Sequence, residues 1–222
     1  MYSQSEENYL KVIFTLQKAE EAPVNTNLIA EKLSTKASSV TDMIKKLSAK
    51  DLLSYKPYQG VKLTETGRSI ALKVLRKHRL WEFFLVDKLH YKWDEVHEIA
   101  EQLEHVKSDS LIDKLDYFLG LPKYDPHGDP IPDKDGNFAG EELISLKNME
   151  IGERGILKGL KDSSNVFLKY LDRKNMVIDD QIEVVDIEKF DQSVLIKTNW
   201  ETFYISEQVA KNLLIKRMND EL

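Results

Sequence analysis

Two histidines and three glutamates lie within nine residues of this chain, in the stretch HEIAEQLEH at positions 97–105. The whole chain of 222 residues has only five histidines, so the local concentration is high. Imidazole nitrogens and carboxylate oxygens bind divalent transition metals in proteins. Because the chain has no cysteine, any metal site must use these nitrogen and oxygen donors. The stretch is therefore either a set of metal ligands or a solvated helix face.

Helical spacing is compatible with both interpretations. Four polar residues of this stretch fall within about 100° of helical arc: His97, Glu101, Glu104 and His105. A second pair, His78 and Glu82, lies one turn apart on the preceding predicted helix and can face the same region. Histidines and carboxylates that converge between helices favour a site for a divalent ion. Periodicity alone supports the solvated face, because apolar residues occupy roughly the opposite arc.

The charge of the chain is unevenly distributed. The net charge is −6, but residues 36–79 carry eleven lysines and arginines against three acidic residues, a local excess of +8 that leaves −14 for the remainder. A basic block on an acidic protein favours a polyanion as the partner of the N-terminal part.

The N-terminal third has the element order of a winged helix-turn-helix. The pattern predicts helices over residues 5–19, 25–33 and 34–52, with Asn25 as a cap, and then a β-hairpin that turns through Tyr58, Gln59 and Gly60. The second helix of the pair would enter the major groove of DNA and the hairpin would lie along the backbone. The predicted DNA contacts are Lys36, Ser38, Ser39, Thr41, Lys45 and, on the hairpin, Lys56. The alternative is a small helical domain whose lysines only increase solubility.

The middle of the chain is helical and the end is rich in strands. Predicted helices cover 65–89, 93–107 and 109–119, the last with Leu111, Leu115 and Phe118 on one side, and their apolar surface favours a twofold helical dimer over burial within a monomer. A proline-rich loop follows at 122–132. Short strand patterns after Gly152 indicate a small β-barrel of about seventy residues.

The predicted fold is mainly α with α+β parts. We expect a winged helix-turn-helix DNA-binding domain at 1–72, a helical metal-binding and dimerisation domain at 73–132, a linker at 133–148 and an SH3-like domain at 149–222. No run of eighteen apolar residues and no signal-peptide pattern occurs, so we expect a soluble cytoplasmic protein with no membrane partner.

Three runs of sequence carry a specific resemblance: RKHRLWEFFL, VHEIAEQLEHVKSD and PHGDPIP. With the preceding winged helix-turn-helix, the chain resembles the diphtheria-toxin-repressor family of metal-dependent transcriptional regulators over nearly its whole length. The resemblance implies a homodimer that binds an operator, predicted to be palindromic, and represses genes for metal uptake. It also implies a C-terminal domain similar to SH3 and ferrous-transport accessory domains.

The resemblance implies two metal sites. The first would use Glu101, Glu104 and His105 with His78 and the residue at position 8. Family members place Asp or Met at that position, and Asn8 is a neutral and weaker donor. Lys11 also replaces a carboxylate that some manganese-responsive members use to complete a paired-ion site. Both departures point to a weakened or altered first site.

The second site would use Glu82, Asp125, His127 and Asp162, with Asp125 in place of a cysteine of close relatives. Without the resemblance, His127 would be interpreted as a loop histidine. The iron-responsive members have a sulfur ligand where Glu101 lies, so the chain is more similar to the manganese-responsive branch. We expect Mn²⁺ or Fe²⁺ as the cofactor, while Zn²⁺ and other divalent ions can bind in vitro.

Two other functions stay open at the level of the sequence. A DNA-binding regulator with a structural metal is compatible with Asn8. A metal-dependent hydrolase would also use histidines and carboxylates, but the chain offers no separate acid–base pair, and we expect neither enzymatic activity nor a small organic substrate.

Overall fold

The computed structural model describes residues 2–17, 23–56, 59–138, 140 and 143–218. The chain divides into two compact units. The first contains the chain through Trp81 together with Ala100–Leu121 and Ile131–Phe138, and the second contains Glu82–Ile99, Pro122–Pro130 and the chain from residue 139 onward.

The first unit begins with a winged helix-turn-helix. Its elements are α1 (Gln4–Gln17), α2 (Thr26–Lys32), α3 (Ala37–Ala49), β1 (Leu53–Lys56), β2 (Gly60–Leu63) and the start of α4 (Glu65–Asp87). The strands pair antiparallel from Leu53 opposite Leu63 to Lys56 opposite Gly60. This order confirms the predicted fold class; Tyr58 of the predicted turn lies outside the described residues.

Local sequence signals explain where these helices begin. The side chain of Asn25 caps α2 by accepting a hydrogen bond from the backbone N–H of Asn27 at 2.8 Å. The hydroxyl of Thr64 accepts the N–H of Gly67 at 3.1 Å at the start of α4. On α3, Val40, Ile44 and Leu47 form an apolar stripe that is fully buried, which fixes the opposite face of α3 toward solvent.

The helices that follow differ in detail from the prediction. Helix α5 covers only Val96–Leu103, so Glu104 and His105 lie in the turn after it and do not share a helix face with His97. After this turn, the hydroxyl of Ser108 caps the next helix, α6 (Asp109–Phe118).

Helix α6 buries only part of its predicted apolar side within this unit. Ile112 and Leu115 are buried, whereas Leu111 is 44% and Phe118 62% exposed. Large apolar side chains of α6 therefore lie at the surface of this unit, and the prediction that they contact a second copy of the chain stays open.

Part of the predicted linker at 133–148 is packed structure. Phe138 stacks on Phe14 of α1, with ring centroids 6.4 Å apart. A Cβ at Gly136 would lie 3.0 Å from the side chain of Leu72. Residues 131–138 therefore belong to the first unit, and Leu146 is buried in the core of the second. The polar composition of residues 133–148 gave no indication that Phe138 and Leu146 pack against apolar cores.

The second unit is built on a six-stranded antiparallel sheet with the order β3-β8-β4-β5-β6-β7. Its elements are β3 (Ile144–Ser145), a 3₁₀ turn at Leu146–Asn148, β4 (Arg154–Leu160), α7 (Asn165–Arg173), β5 (Gln181–Ile187), β6 (Val194–Lys197), β7 (Thr202–Ile205), α8 (Glu207–Asn212) and β8 (Leu213–Arg217). The short strands that the sequence predicts after Gly152 correspond to β4, β5, β6 and β7. Strands β3 and β8, which pair with each other, were not expected.

Among the described residues, no helix has the combination of length and apolar character needed to cross a membrane.

Candidate metal centres and DNA-binding surface

The first cluster of candidate ligands lies in the first unit, where α1, α4 and the turn after α5 supply its side chains. Glu104 is fully buried. Its Oε2 lies 2.6 Å from Nδ1 of His78 on α4 and accepts a hydrogen bond of 2.7 Å from Nζ of Lys11 on α1. Burial by itself would raise the pKa of the Glu104 carboxyl, but hydrogen bonds and charge from His78 and Lys11 outweigh burial and lower this pKa. Glu104 is therefore held as a carboxylate, the form that binds a cation.

His105 is positioned by a residue that the sequence did not single out. Its Nδ1 lies 2.6 Å from Oε2 of Glu7 on α1, and its Nε2 lies 3.7 Å from Oε1 of Glu104. Metal-binding histidines commonly donate one ring N–H to a carboxylate, which turns the other nitrogen toward the metal. Glu7 therefore orients His105 so that Nε2 faces Glu104. Only its place next to Asn8 could have indicated this role.

Two buried oxygens, one in this cluster and one next to Glu7 on α1, lack hydrogen-bond partners. They are Oε1 of Glu104 and Oδ1 of Asn8, neither of which has a hydrogen-bond partner within the described part of the chain. An unpartnered buried acceptor is costly unless a cation or a donor satisfies it. These two oxygens and Nε2 of His105 are the donors that a divalent ion requires. These donor types fit a divalent metal ion, and the role of Asn8 as a neutral oxygen ligand stays a prediction.

Lys11 brings a permanent positive charge into the same cluster. Its Nζ lies 2.7 Å from Glu104 and 3.6 Å from Oε1 of Glu101, whose side chain is 47% exposed. The ammonium partly neutralises both carboxylates and links α1 to the turn after α5. The positive charge of Lys11 next to Glu101 and Glu104 is therefore a physical reason to expect an altered first site.

His97 does not belong to the first cluster. Its side chain is 60% exposed, and its Nδ1 lies 3.2 Å from Oε1 of Glu82. The sequence grouped it with Glu101, Glu104 and His105 because the helix was expected to continue to residue 107. With α5 ending at Leu103, His97 lies beside Glu82 in the second unit.

The second cluster consists of Glu82, Asp125 and His127 in the second unit. All three residues are buried, and one ligand atom from each can be chosen so that all lie within 4.8 Å of one another. Oδ1 of Asp125 accepts the backbone N–H groups of His127 and Asp129 at 2.8 and 2.9 Å, which shapes the loop. Three convergent buried donors fit a divalent ion.

Asp162, the fourth ligand implied by the resemblance, is not in such a group among the residues that the structure describes. Its carboxylate accepts the N–H of Ser164 at 2.9 Å just before α7. Its role as a metal ligand stays a prediction.

The exposed face of α3 carries the predicted DNA contacts. Lys36, Ser38, Ser39 and Lys45 are exposed, and so is Lys56 at the end of β1. Thr41 is half-buried, and its hydroxyl donates to the carbonyl of Ala37 at 3.0 Å. Short hydroxyls and lysines on the exposed face of a recognition helix can contact base edges and phosphates.

Two lysines of the basic excess in this region pair with a buried carboxylate. Nζ of Lys50 and Nζ of Lys46 lie 2.6 and 3.1 Å from Oε1 of Glu6, which is buried. Burial would raise the pKa of the Glu6 carboxyl, but hydrogen bonds from Lys50, the backbone of Ser3 and Lys46 lower it to about 2. These two lysines link the C-terminal part of α3 to α1.

A winged helix-turn-helix with a nitrogen and oxygen cation cluster attached to its first helix defines a metal-dependent DNA-binding regulator. Family models agree over almost the whole chain. An iron-dependent repressor N-terminal DNA-binding domain matches residues 1–61, an iron-dependent repressor metal-binding and dimerisation domain matches 64–133, and a FeoA domain matches 144–217.

Individual relatives agree with these models. A solved manganese-dependent transcriptional repressor in complex with manganese is 33% identical, covers 96% of this chain and 100% of its own, and superposes with a TM-score of 0.86. The manganese regulator SloR is 34% identical over 96% of this chain and 98% of its own, with a TM-score of 0.76. The iron-dependent repressor IdeR of Mycobacterium bovis is 36% identical over 57% of this chain and 54% of IdeR, so the match spans about half of that relative.

The chain belongs to the diphtheria-toxin-repressor family of iron- and manganese-dependent repressors. It is a metal-dependent DNA-binding transcriptional repressor, and its cofactor is a divalent metal ion, Mn²⁺ or Fe²⁺. The relatives are transcriptional repressors and not enzymes.

Proposed function

We propose that this protein is a homodimeric cytoplasmic sensor of Mn²⁺ or Fe²⁺ that represses genes for metal uptake by binding a palindromic operator. The observation that carries the proposal is the first cluster, in which α1 of the winged helix-turn-helix meets Glu104 and His105 and leaves buried oxygens of Asn8 and Glu104 without partners. This cluster joins the DNA-binding domain to the residues after α5.

The switch depends on how α1 is held. Asn8, Glu104 and His105 would hold a divalent ion in the first cluster, and the ion would supply positive charge to the acceptor oxygens that lack hydrogen bonds. Glu7 keeps Nε2 of His105 turned toward Glu104. Glu6 on α1 forms ion pairs with Lys46 and Lys50 of the α3 end, so a shift of α1 also shifts α3. The position of the recognition helix therefore depends on the occupancy of the cluster. A ligand shifts such an equilibrium only by its difference in affinity for the two arrangements.

The dimer sets the distance between two recognition helices. Exposed apolar side chains of α6 and the residues after it, among them Tyr117 and Leu121, supply a surface for a second copy of the chain. Two winged helices related by a twofold axis would bind two half-sites about one or two helical turns apart. Operator binding would then require both the dimer and the correct position of α1.

The experiment is fluorescence anisotropy with labelled DNA from the protein's own promoter region. Chelator-treated protein is titrated alone, with Mn²⁺, with Fe²⁺ under anaerobic conditions, and with Zn²⁺ as a control. We expect metal to tighten binding by one to two orders of magnitude, about 1.4 to 2.8 kcal/mol. The order of Mn²⁺ and Fe²⁺ identifies the cognate ion, and a matched His105→Ala variant should not respond.

The contacts of α1 also favour a second candidate, a regulator whose metal is structural. Lys11 and Glu7 already link α1 to Glu104 and His105 through contacts of 2.7 and 2.6 Å that involve no metal. If these contacts are sufficient, operator binding will be equally tight with chelator and with metal. That result would contradict the sensory function and support the structural one.

A further inference from the structure

Trp93 makes three separate contacts that join the second cluster to the C-terminal sheet domain. Its backbone carbonyl lies 2.8 Å from Nε2 of His127. Its ring stacks on the His127 imidazole, with centroids 6.3 Å apart and planes 19° apart. Its indole Nε1–H donates to Oδ1 of Asp172 on α7 at 2.9 Å. One residue therefore contacts both a candidate metal ligand and a helix of the C-terminal domain.

The carbonyl contact determines which nitrogen of His127 faces the cluster. A carbonyl oxygen only accepts hydrogen bonds, so Nε2 of His127 carries the proton in this contact. Nδ1 is then the nitrogen with a free lone pair, and it lies 3.9 Å from Oε2 of Glu82 and 4.0 Å from Oδ1 of Asp125. A hydrogen bond of this kind fixes both the tautomer and the ring orientation of a histidine ligand.

The neighbouring residue strengthens the attachment to α7. The carboxylate of Asp94 lies 3.7 Å from Nζ of Lys169, one turn before Asp172 on the same helix. Trp93 also packs against the apolar core of the C-terminal domain. The turn at 93–94 is thus held to α7 by an ion pair, a hydrogen bond and apolar packing.

The loop that carries Asp125 and His127 is held from its other side by β4. A Cβ at Gly128 would lie only 2.0 Å from the carbonyl oxygen of Lys158 and 2.3 Å from Cα of Gly159. The pairing of β4 with β8 shifts register between Leu157 and Gly159, at this contact. The ligand loop therefore contacts both the sheet, through Gly128, and the turn at Trp93, through His127.

We propose that Trp93 is a positioning residue that holds Nδ1 of His127 toward Glu82 and Asp125 and couples metal binding at the second cluster to the stability of α7. The inference rests on the proposed metal site at this cluster. Because coupling is reciprocal, metal must protect α7 by the same free energy by which an intact α7 strengthens metal binding. The C-terminal domain thereby acts as a support for the second site.

The test is hydrogen–deuterium exchange of the full-length protein with and without Mn²⁺, combined with calorimetric Mn²⁺ titration. In the wild type we expect Mn²⁺ to slow amide exchange in Asn165–Arg173. Trp93→Phe keeps the backbone carbonyl and a stacking ring but removes the indole N–H, and Asp172→Ala removes its exposed acceptor. Both variants should lose most of the Mn²⁺-dependent protection of α7 and bind Mn²⁺ at this cluster about tenfold more weakly.

Two further measurements separate the parts of the inference. Trp200→Phe is the matched control, because Trp200 is 77% exposed and outside the cluster, and it should behave as the wild type. The ¹⁵N shifts of the His127 ring should show Nε2 protonated, and protonation of Nδ1 in its place would overturn the positioning role.

Failure of the inference and failure of the site give different results. If Glu82→Gln removes one Mn²⁺ per chain while Trp93→Phe and Asp172→Ala keep full protection of α7, the site is real and the coupling through Trp93 is refuted. If Glu82→Gln leaves the number of bound Mn²⁺ ions unchanged, the second site is refuted and the inference is overturned with it.

Discussion

Asn8 presents a neutral amide oxygen, buried and without a partner, at the first cluster. We expect Asn8→Asp to strengthen Mn²⁺ binding by roughly tenfold, about 1.4 kcal/mol, because a carboxylate attracts the ion and an amide carries no charge. Calorimetric titration of chelator-treated protein measures this. Asn27→Asp, an exposed change of the same type on α2, is the control, and unchanged affinity in Asn8→Asp would exclude position 8 from the site.

Lys11 should have opposite effects on the metal-free and metal-bound protein. Its ammonium is the partner of the fully buried Glu104, so Lys11→Gln should lower the free energy of unfolding of the metal-free protein by roughly 3 kcal/mol. Mn²⁺ should restore most of this loss, because the ion supplies the missing positive charge. Urea unfolding with and without Mn²⁺ measures both values; Lys32→Gln is the exposed control, and equal losses in the two forms would contradict the prediction.

At the scale of residues, the sequence selected candidate ligands but not their contacts. Spacing proposed Glu104 and His105, the resemblance added Asn8, and their roles as metal ligands stay predictions. Glu7 was missed because an acidic residue in the first turn of a helix is sufficiently explained by the helix dipole. Its role depends on the 2.6 Å approach to His105, a residue 98 positions away, and such long-range pairs have no local pattern.

Among the elements, α1 and α3 are connected by the buried carboxylate of Glu6 in addition to a shared apolar core. Glu6→Gln removes the ion pairs with Lys46 and Lys50, whose side chains are 54% and 40% exposed. We expect the free energy of unfolding to fall by about 1 to 2 kcal/mol, since solvent screens the lysines. Operator binding with Mn²⁺ should weaken while Mn²⁺ affinity stays close to that of the wild type. Parallel loss of metal affinity would show that Glu6 acts on the cluster itself.

The recognition helix gives a prediction about salt. Lys45 is exposed on α3 and has no ion pair among those found in the described residues. Lys45→Ala should lower DNA affinity and reduce the slope of log K against log salt by about 1 if it contacts a phosphate. Lys197→Ala, at the end of β6 in the second unit, is the control. An unchanged slope in Lys45→Ala would count against a phosphate contact.

The predicted elements were most accurate where one local period governs the chain. The stripe of α3 and the alternation in β4 to β7 were visible because each element buries a single face. Helix α5 was extended too far, because polar residues continue its period beyond Leu103. Strands β3 and β8 were missed because a two-residue strand and a strand that follows directly on α8 leave little pattern to detect.

For the whole molecule, the exposed apolar residues near the end of α6 determine the expected oligomeric state. Tyr117 is 79% and Leu121 52% exposed. Light scattering coupled to size exclusion should give twice the chain mass of 25.7 kDa for the wild type. Tyr117→Asp with Leu121→Asp should give the mass of one chain and abolish operator binding, because one winged helix contacts only one half-site. A dimeric mass in the double variant would place the interface elsewhere.

The domain order was predictable from the sequence, whereas the allocation of segments was not. Residues 131–138 look like a polar linker, yet Phe138 and Gly136 attach them to the first unit. The chain between residues 122 and 148 is therefore divided between the two units: residues 131–138 belong to the first, and the residues on either side of them belong to the second.

The donor atoms of the second cluster determine how the site should respond to oxidants. Glu82, Asp125 and His127 offer only oxygen and nitrogen, and the chain contains no thiol. Hydrogen peroxide oxidises reactive thiolates to sulfenic and then to sulfinic and sulfonic acids. No thiolate ligand exists here, so metal binding at this cluster should persist through peroxide stress that would oxidise a cysteine at the position of Asp125.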